Sequence, residues 1–304
     1  LIDTSRLFLC TPLLIRSFLS VACAVVLQGF AHAQAGTIDP TFNPADVGNG
    51  YGDGPEGSVY AYAVLPDGKV IIGGYFAYVH GYARGRIARL NSDGSLDLSF
   101  NPGVGFDNTV LSLAAQPDGK VIVGGEFTTC AGVSRNRIAR LNTDGSLDTS
   151  FDPGIGFNFR VRALALQPDG KVLVGGTFTQ FNGVARTKLV RLHNHGALDG
   201  AFSPGTIPGS IDVGIYSLAL QGSGAVIGVG NFSSVGGTSR PGIARFSSSG
   251  VLDATYPAAG VQVSEGRSCT LQADGKLVIG AYFAIYATGY PNKLVARLNT
   301  DGSL

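Results

Sequence analysis

The sequence contains no tryptophan and no methionine, and only four of its 304 residues are cysteine. Charged residues make up 14%, and the formal net charge is +1. So even a balance supplies no basic field for nucleic acid phosphates and no acidic field for a basic partner, and no nucleic acid partner is expected. No Gly-x-Ser-x-Gly elbow, phosphate loop or His-Glu-x-x-His motif occurs. Beyond the first 33 residues helical periodicity is missing and no apolar run could span a bilayer, so the mature chain is expected to lack a membrane span. The absence of methionine, and an end at Asp301-Gly302-Ser303-Leu304 inside a repeat, lead us to expect a fragment whose repeat number is a lower bound.

What is present begins with residues 1–33, which read as a signal peptide. Arg6 and Arg16 supply positive charge, Ser17 to Phe30 an apolar run, and Ala31-His32-Ala33 a small-x-small cleavage site. The mature chain would start near Gln34, and a secreted or cell-surface location follows. An N-terminal anchor is the alternative, although the run is short for a spanning helix. A lipoprotein reading through Cys23 is disfavoured by Ser20, where an aliphatic residue is wanted. Cys10 and Cys23 would leave with this segment. Cys130 and Cys269 occupy repeat slots filled elsewhere by Val79 or Phe181 and by Leu113 or Leu164, so both read as small core hydrophobes.

Glycine is abundant, at 45 residues, without a collagen triplet period, which means many tight turns. The glycines mark an internal repeat. Gly68, Gly119, Gly170, Gly224 and Gly275 are spaced by 51, 51, 54 and 51 residues. Arg89-Leu90, Arg140-Leu141, Arg191-Leu192, Arg245-Phe246 and Arg297-Leu298 follow the same beat. A Gly-Ser-Leu-Asp motif recurs at Gly94–Asp97 and Gly145–Asp148, drifts at Gly196–Asp199 and Gly250–Asp253, and has an early copy at Gly36–Asp39. The units lie near 36–91, 94–142, 145–193, 196–247 and 250–299, with another beginning at 301–304.

Each unit predicts four extended runs. In the third they are Val161 to Gln167, Lys171 to Thr179, Thr187 to Leu192 and Ala197 to Phe202. Pro168-Asp169-Gly170 joins the first pair, a hairpin signal because both turn positions need or tolerate positive φ. The fold class is therefore all-β. A four-stranded unit cannot bury both faces alone, so tandem copies should stack face to face as blades of a β-propeller. An open β-solenoid is the alternative. Double glycines (Gly73-Gly74, Gly124-Gly125, Gly175-Gly176) inside the second run point to close backbone packing near a propeller's centre.

Gln116-Pro-Asp-Gly-Lys-Val121, then Val123-Gly-Gly-Glu-Phe127, then Ala139-Arg-Leu-Asn-Thr-Asp-Gly-Ser-Leu-Asp-Thr-Ser-Phe151 resembles the delta-60 repeat. The resemblance covers residues 36–304 and implies a bacterial, exported β-propeller of unknown activity, with no catalytic residues to transfer. The fourth repeat departs most, with Gly222-Ser223-Gly224-Ala225 in place of Pro-Asp-Gly-Lys. Kelch and WD repeats are disfavoured, since both rely on a tryptophan that this chain lacks.

The recurring Asp97, Asp148, Asp199 and Asp253 with Arg89, Arg140, Arg191 and Arg245 read as blade-internal ion pairs or turn-bonding carboxylates, because catalysis needs one special copy. No cofactor is expected. Calcium at Asn142-Thr-Asp144-Gly-Ser-Leu-Asp148 is the alternative, short of carboxylates for a full calcium loop. His193 and His195 share a turn without a third ligand in sequence, so drift in a solvated turn is favoured over a metal site. Acids outside the repeat pattern are Asp46, Asp53, Glu56, Asp107, Glu126, Asp212 and Glu265, and nothing in their positions selects a catalytic pair. Tyr75 and Tyr282 fill a slot held elsewhere by Glu126, Thr177 and Asn231, and Tyr82 and Tyr290 one held by Val133, Val184 and Thr238. Those four tyrosines are the candidate binding residues, and the first and fifth blades would be neighbours if five blades closed a ring. The expected function is a non-catalytic extracellular binding, adhesion or structural scaffold, not an enzyme, for a protein or glycan partner. The alternatives are an exported polysaccharide hydrolase and a spacer in a larger surface protein.

Overall fold

The computed structural model describes residues 54–257, 261–287 and 290–304, all within one compact unit. The expected signal peptide and the early Gly36–Asp39 copy lie outside the described residues, as do Asp46 and Asp53. The described residues are all β, arranged as five successive antiparallel sheets of three strands each. The inner strands are Ser58–Val64, Val110–Ala115, Val161–Leu166, Ile215–Leu220 and Gln262–Leu271. The middle strands are Val70–Tyr75, Val121–Gly125, Val172–Gly176, Val226–Gly230 and Leu277–Ala287. The outer strands are Ile87–Leu90, Ile138–Leu141, Leu189–Leu192, Ile243–Phe246 and Tyr290–Leu298. We number these blades one to five.

In the first three blades the inner and middle strands are joined by the Pro-Asp-Gly turn, but not with the expected dihedrals. In blade two only Gly119 takes a positive φ, of 81°. Asp118 stays out of the left-handed region and accepts the Lys120 N–H on Oδ1 at 3.1 Å. The turn is thus a type I turn followed by a left-handed glycine, the common three-residue hairpin loop. Paired positive φ occurs elsewhere, at Ala131 (49°) with Gly132 (79°) and Asn182 (52°) with Gly183 (74°). These close small hairpins, such as Gln180–Phe181 with Val184–Ala185, in the stretch left unassigned between the second and third expected runs.

The fourth run is also shorter than expected. It pairs with the outer strand through a single bridge in each of the first four blades, as Leu141 with Leu147 and Leu192 with Leu198. The recurring aspartate ends it: Asp148 Oδ1 accepts the Ser150 N–H at 2.9 Å and the Ser150 hydroxyl at 2.6 Å, which bends the chain. Phe151 then swings into the space between blades two and three, where it is fully buried.

Burial of both sheet faces explains why the units stack. One core joins Ile71 and Ile87 of blade one to Val121, Val123 and Phe127 of blade two. The next joins Ile122 and Ile138 of blade two to Val172, Val174 and Phe178 of blade three. Neighbouring residues of one middle strand therefore serve opposite cores, as alternation across a strand requires. Inner strands of consecutive blades pack on one another from the first to the fifth. Among the described residues no packing of that extent joins Ser58–Val64 to Gln262–Leu271.

Candidate functional site

The repeated charges make a clamp within and between blades. In blade two Asp148 accepts bonds from Arg140 Nε and Lys120 Nζ, each at 2.8 Å. Blade one repeats this with Asp97, Arg89 and Lys69, and blade three with Asp199, Arg191 and Lys171. The same arginine reaches the next blade: Arg140 Nη1 donates to the Asn194 carbonyl at 2.6 Å, and Arg89 Nη1 to the Thr143 carbonyl at 2.6 Å. Its guanidinium also lies over the tucked phenylalanine, 5.1 Å from the Phe151 centroid for Arg140. Burial pushes the Asp199 carboxyl up, but bonds from the Ala201 N–H, Lys171 and Arg191 outweigh it and hold the pKa down at about 2. Asp97 and Asp148 are held lower still by the same balance, with a serine hydroxyl added. The expected ion pair is present in each of the first four blades, and its arginine is also the link between blades.

A different slot breaks the repeat. Each inner strand carries a β-bulge opposite the glycine-bearing stretch of the middle strand, which is a double glycine in the first three blades. Val161 pairs with Gly176 and Ala163 with Gly175, which leaves Arg162 unpaired between them. Tyr60, Leu111 and Tyr216 occupy the same place in blades one, two and four, and Arg267 the second of two successive bulges in blade five. The double glycine leaves room for this crowding. A Cβ on Gly175 would lie 2.8 Å from Ile215 Cγ2 of the next blade, and one on Gly176 would strike the Arg160 carbonyl. A bulge re-aims its side chain, and here it does so at a position whose identity varies from blade to blade.

The inner strands of blades one to four line one cavity of about 230 Å³. Tyr60, Tyr62, Ser112, Arg162, Tyr216 and Ser217 are among its walls. The Arg162 and Arg267 guanidiniums lie 4.9 and 5.1 Å from the Tyr216 ring centroid. Tyr216 is fixed by its hydroxyl, which donates to the Asp212 carbonyl at 2.5 Å. That carbonyl belongs to the segment where the fourth repeat gains three residues, so the insertion serves the axial wall. Sequence reasoning missed this site. Its signal was a slot reading Tyr, Leu, Arg, Tyr, Arg inside an otherwise repeating strand.

A family model described as a beta-propeller domain of unknown function, DUF5122, matches residues 65–100, 116–151, 167–202, 221–256 and 272–304, more than half of the chain. The chain belongs to the DUF5122 beta-propeller family. The stacked blades are those of a propeller, and the solenoid alternative falls. No curated protein matches. Among solved structures, a gluconolactonase from Xanthomonas campestris aligns at 18% identity and TM-score 0.47, covering 73% of this chain and 69% of its own. Virginiamycin B lyase from Staphylococcus aureus aligns at 18% identity and TM-score 0.45, over 82% and 74% of the two chains. The WD40 propeller domain of Doa1 aligns at 17% identity and TM-score 0.49, over 80% and 63%. At such identities these likenesses concern the fold alone.

In this DUF5122 propeller, Tyr75, Tyr82 and Tyr282 are 56%, 50% and 63% exposed. Tyr75 has one face occupied by Arg86, 4.5 Å from the ring centroid, and Tyr282 lies 5.2 Å from Arg267. Tyr290 opens the last outer strand, paired in register with Ala287. The two tyrosine pairs sit on the first and fifth blades, which the described packing does not bring together.

The remaining candidates have structural partners. Asp144 accepts the Ser146 N–H and hydroxyl, and Asp148 is occupied by the clamp, so the calcium-like turn is bonded internally. His193 and His195 stack with centroids 5.5 Å apart, and the His195 carbonyl accepts the Asp152 N–H at 2.8 Å, which ties this turn to the preceding blade's tail. Among the described residues no group of three or more His, Cys, Asp or Glu could hold a metal ion. Of the unrepeated acids, Asp107 caps the backbone N–H groups of Thr128 and Thr129, Glu126 pairs with Arg160, and Glu265 pairs with Arg267. Cys130 and Cys269 are both buried and free, as expected of core residues, and burial pushes both thiols up to about 12.

Proposed function

We propose that this propeller is a non-catalytic extracellular binding scaffold whose repeated charges hold the blades and whose unrepeated residues meet the ligand. The observation that carries the reading is the division of labour between two slots. The aspartate slot is the same in the first four blades and is filled with intramolecular bonds. The bulge slot differs between blades, and its Tyr60, Arg162 and Tyr216 line a cavity that Tyr62 also walls. Tyrosine suits sugar and protein surfaces, being apolar on its face and polar at its tip. Export follows from the signal-like segment at residues 1–33, and a secreted or cell-surface location with it. The partner is a protein or a glycan of the extracellular space.

The test is a screen of the folded full chain against glycans, cell-wall polymers and envelope proteins. Retention of at least one class, weakened by Tyr60→Leu or Tyr216→Leu, is the expected result. Leu111 already occupies that slot, so the substitution is one the blade accepts. No retention of any class would overturn the reading.

A further inference from the structure

Three guanidiniums gather at the axial end of the inner strands, on Arg160, Arg162 and Arg267. Two are matched: Arg160 pairs with Glu126 and Arg267 with Glu265. Arg162 is not. Among the described residues no hydrogen bond or ion pair reaches it, and its Nε is buried without a partner. Its sole close contact of this kind is the Tyr216 ring, 4.9 Å away. Ser112 Oγ, in the same cavity wall, is likewise buried and unpartnered, whereas the equivalent Ser217 Oγ accepts the Cys269 N–H at 3.1 Å. Burial lowers the Arg162 pKa, so its charged form is held at a cost that an anion would relieve. A guanidinium cannot shed its proton in this setting, and its planar fork fits a carboxylate.

Resting on the binding reading above, we infer that the axial cavity takes a small carboxylate-bearing ligand, its carboxylate on Arg162 and its ring or sugar body against Tyr60, Tyr62 and Tyr216. Glu126 and Glu265 are taken up by Arg160 and Arg267, which leaves the Arg162 guanidinium free to meet an anion. The size follows from the cavity. Its 230 Å³ lies below the roughly 300–1,000 Å³ of drug-sized sites, so a single-ring acid fits and a long chain does not. Leucine in the equivalent slot of blade two shows that the guanidinium is not needed to build a blade.

The experiment titrates the full chain with sodium D-galacturonate and with sodium benzoate, using neutral D-galactose as the control. Calorimetry and tyrosine emission both serve, the latter undisturbed because tryptophan is absent. Saturable binding of either acid is expected, about tenfold or more tighter than galactose, and weakening as salt rises. Arg162→Gln and Arg162→Leu should each weaken it about tenfold or more, with the melting temperature held. Arg162→Lys should retain part of the affinity, since charge remains but the fork is lost. Galactose binding as tightly as galacturonate, with Arg162→Leu silent, would overturn the carboxylate assignment and leave the binding reading standing. No binding of either acid would also overturn the assignment, while the glycan and protein screen judges the broader reading separately.

Discussion

Removing the Asp148 carboxylate should cost far more than removing its counterpart in blade four. Asp148 accepts Arg140 Nε and Lys120 Nζ at 2.8 Å, the Ser150 N–H at 2.9 Å and the Ser150 hydroxyl at 2.6 Å. Its side chain is 7% exposed, and Arg140's is 9% exposed. Asp148→Ala therefore leaves a buried guanidinium without its counter-charge, a loss of about 3–5 kcal/mol. Asp253 pairs with Arg245 too, but Ala225 stands where the lysine would be, and the carboxylate side chain is 29% exposed. Screening and the missing lysine bring the cost of Asp253→Ala to about 1–2 kcal/mol. Urea unfolding read by circular dichroism and by tyrosine emission gives both losses, and coincidence of the two probes establishes a single transition. A double variant, Arg140→Met with Asp148→Leu, should recover most of the Asp148→Ala loss, because no buried charge is left unpaired and the Lys120 ammonium, 29% exposed, can turn to solvent. Equal losses at Asp148 and Asp253, or a double variant as unstable as Asp148→Ala, would refute the uncompensated buried charge as the source of the loss.

Other outcomes follow from the same structure. The clamp aspartates have folded pKa values below the unfolded value of about 3.9, so their stabilisation is complete above roughly pH 5 and fades as pH falls through 4 toward 2; acid titration followed by circular dichroism checks the window, and a stability loss beginning near pH 6 would contradict it. Gly124→Ala places a Cβ against Ser112 Oγ and Val161 Cγ1 and should cost about 1–3 kcal/mol, whereas Gly200→Ala meets no atom within 4 Å and should change stability little, as denaturant midpoints will show. Thiol labelling of the native protein at pH 8 should leave Cys130 and Cys269 unmodified and proceed only on unfolding, because burial raises both thiols to about 12; rapid native labelling of either would count against their core placement. Melting with and without a chelator should give superimposable curves, since Asp144 and Asp148 already bond to serines, lysine and arginine; a lower melting point with chelator would reinstate calcium.

Much of this molecule was legible in the sequence because the repeat exposes the rules. A slot that is Asp in blade after blade, eight residues beyond a recurring Arg, has a structural explanation, and the pair is found bonded in each of the first four blades. The exposure of Tyr75 and Tyr282 was legible from Glu126 and Asn231 in the same slot, although Thr177 there is buried. Other features depend on pairing across strands, for which one strand gives no local sign. The fourth run looks extended, yet the Asp148 carboxylate turns it after one bridge. The small hairpin at Ala131-Gly132 needs positive φ at an alanine, which carries no turn signature of its own. Arg162 alternates like any strand residue, and only the register against Gly175 and Gly176 shows that it is bulged. What marked it was its failure to repeat.

The most direct measurement of the whole account replaces the bulge slot. Tyr60, Arg162, Tyr216 and Arg267 all become leucine, the residue that blade two carries at position 111. Calorimetric titration of this variant with galacturonate, beside a circular dichroism melt, separates scaffold from site. The account predicts a retained cooperative melt with binding lost. Binding that survives the replacement, or a chain that no longer folds, would contradict the claim that the repeats build the propeller and that the bulge residues serve its ligand.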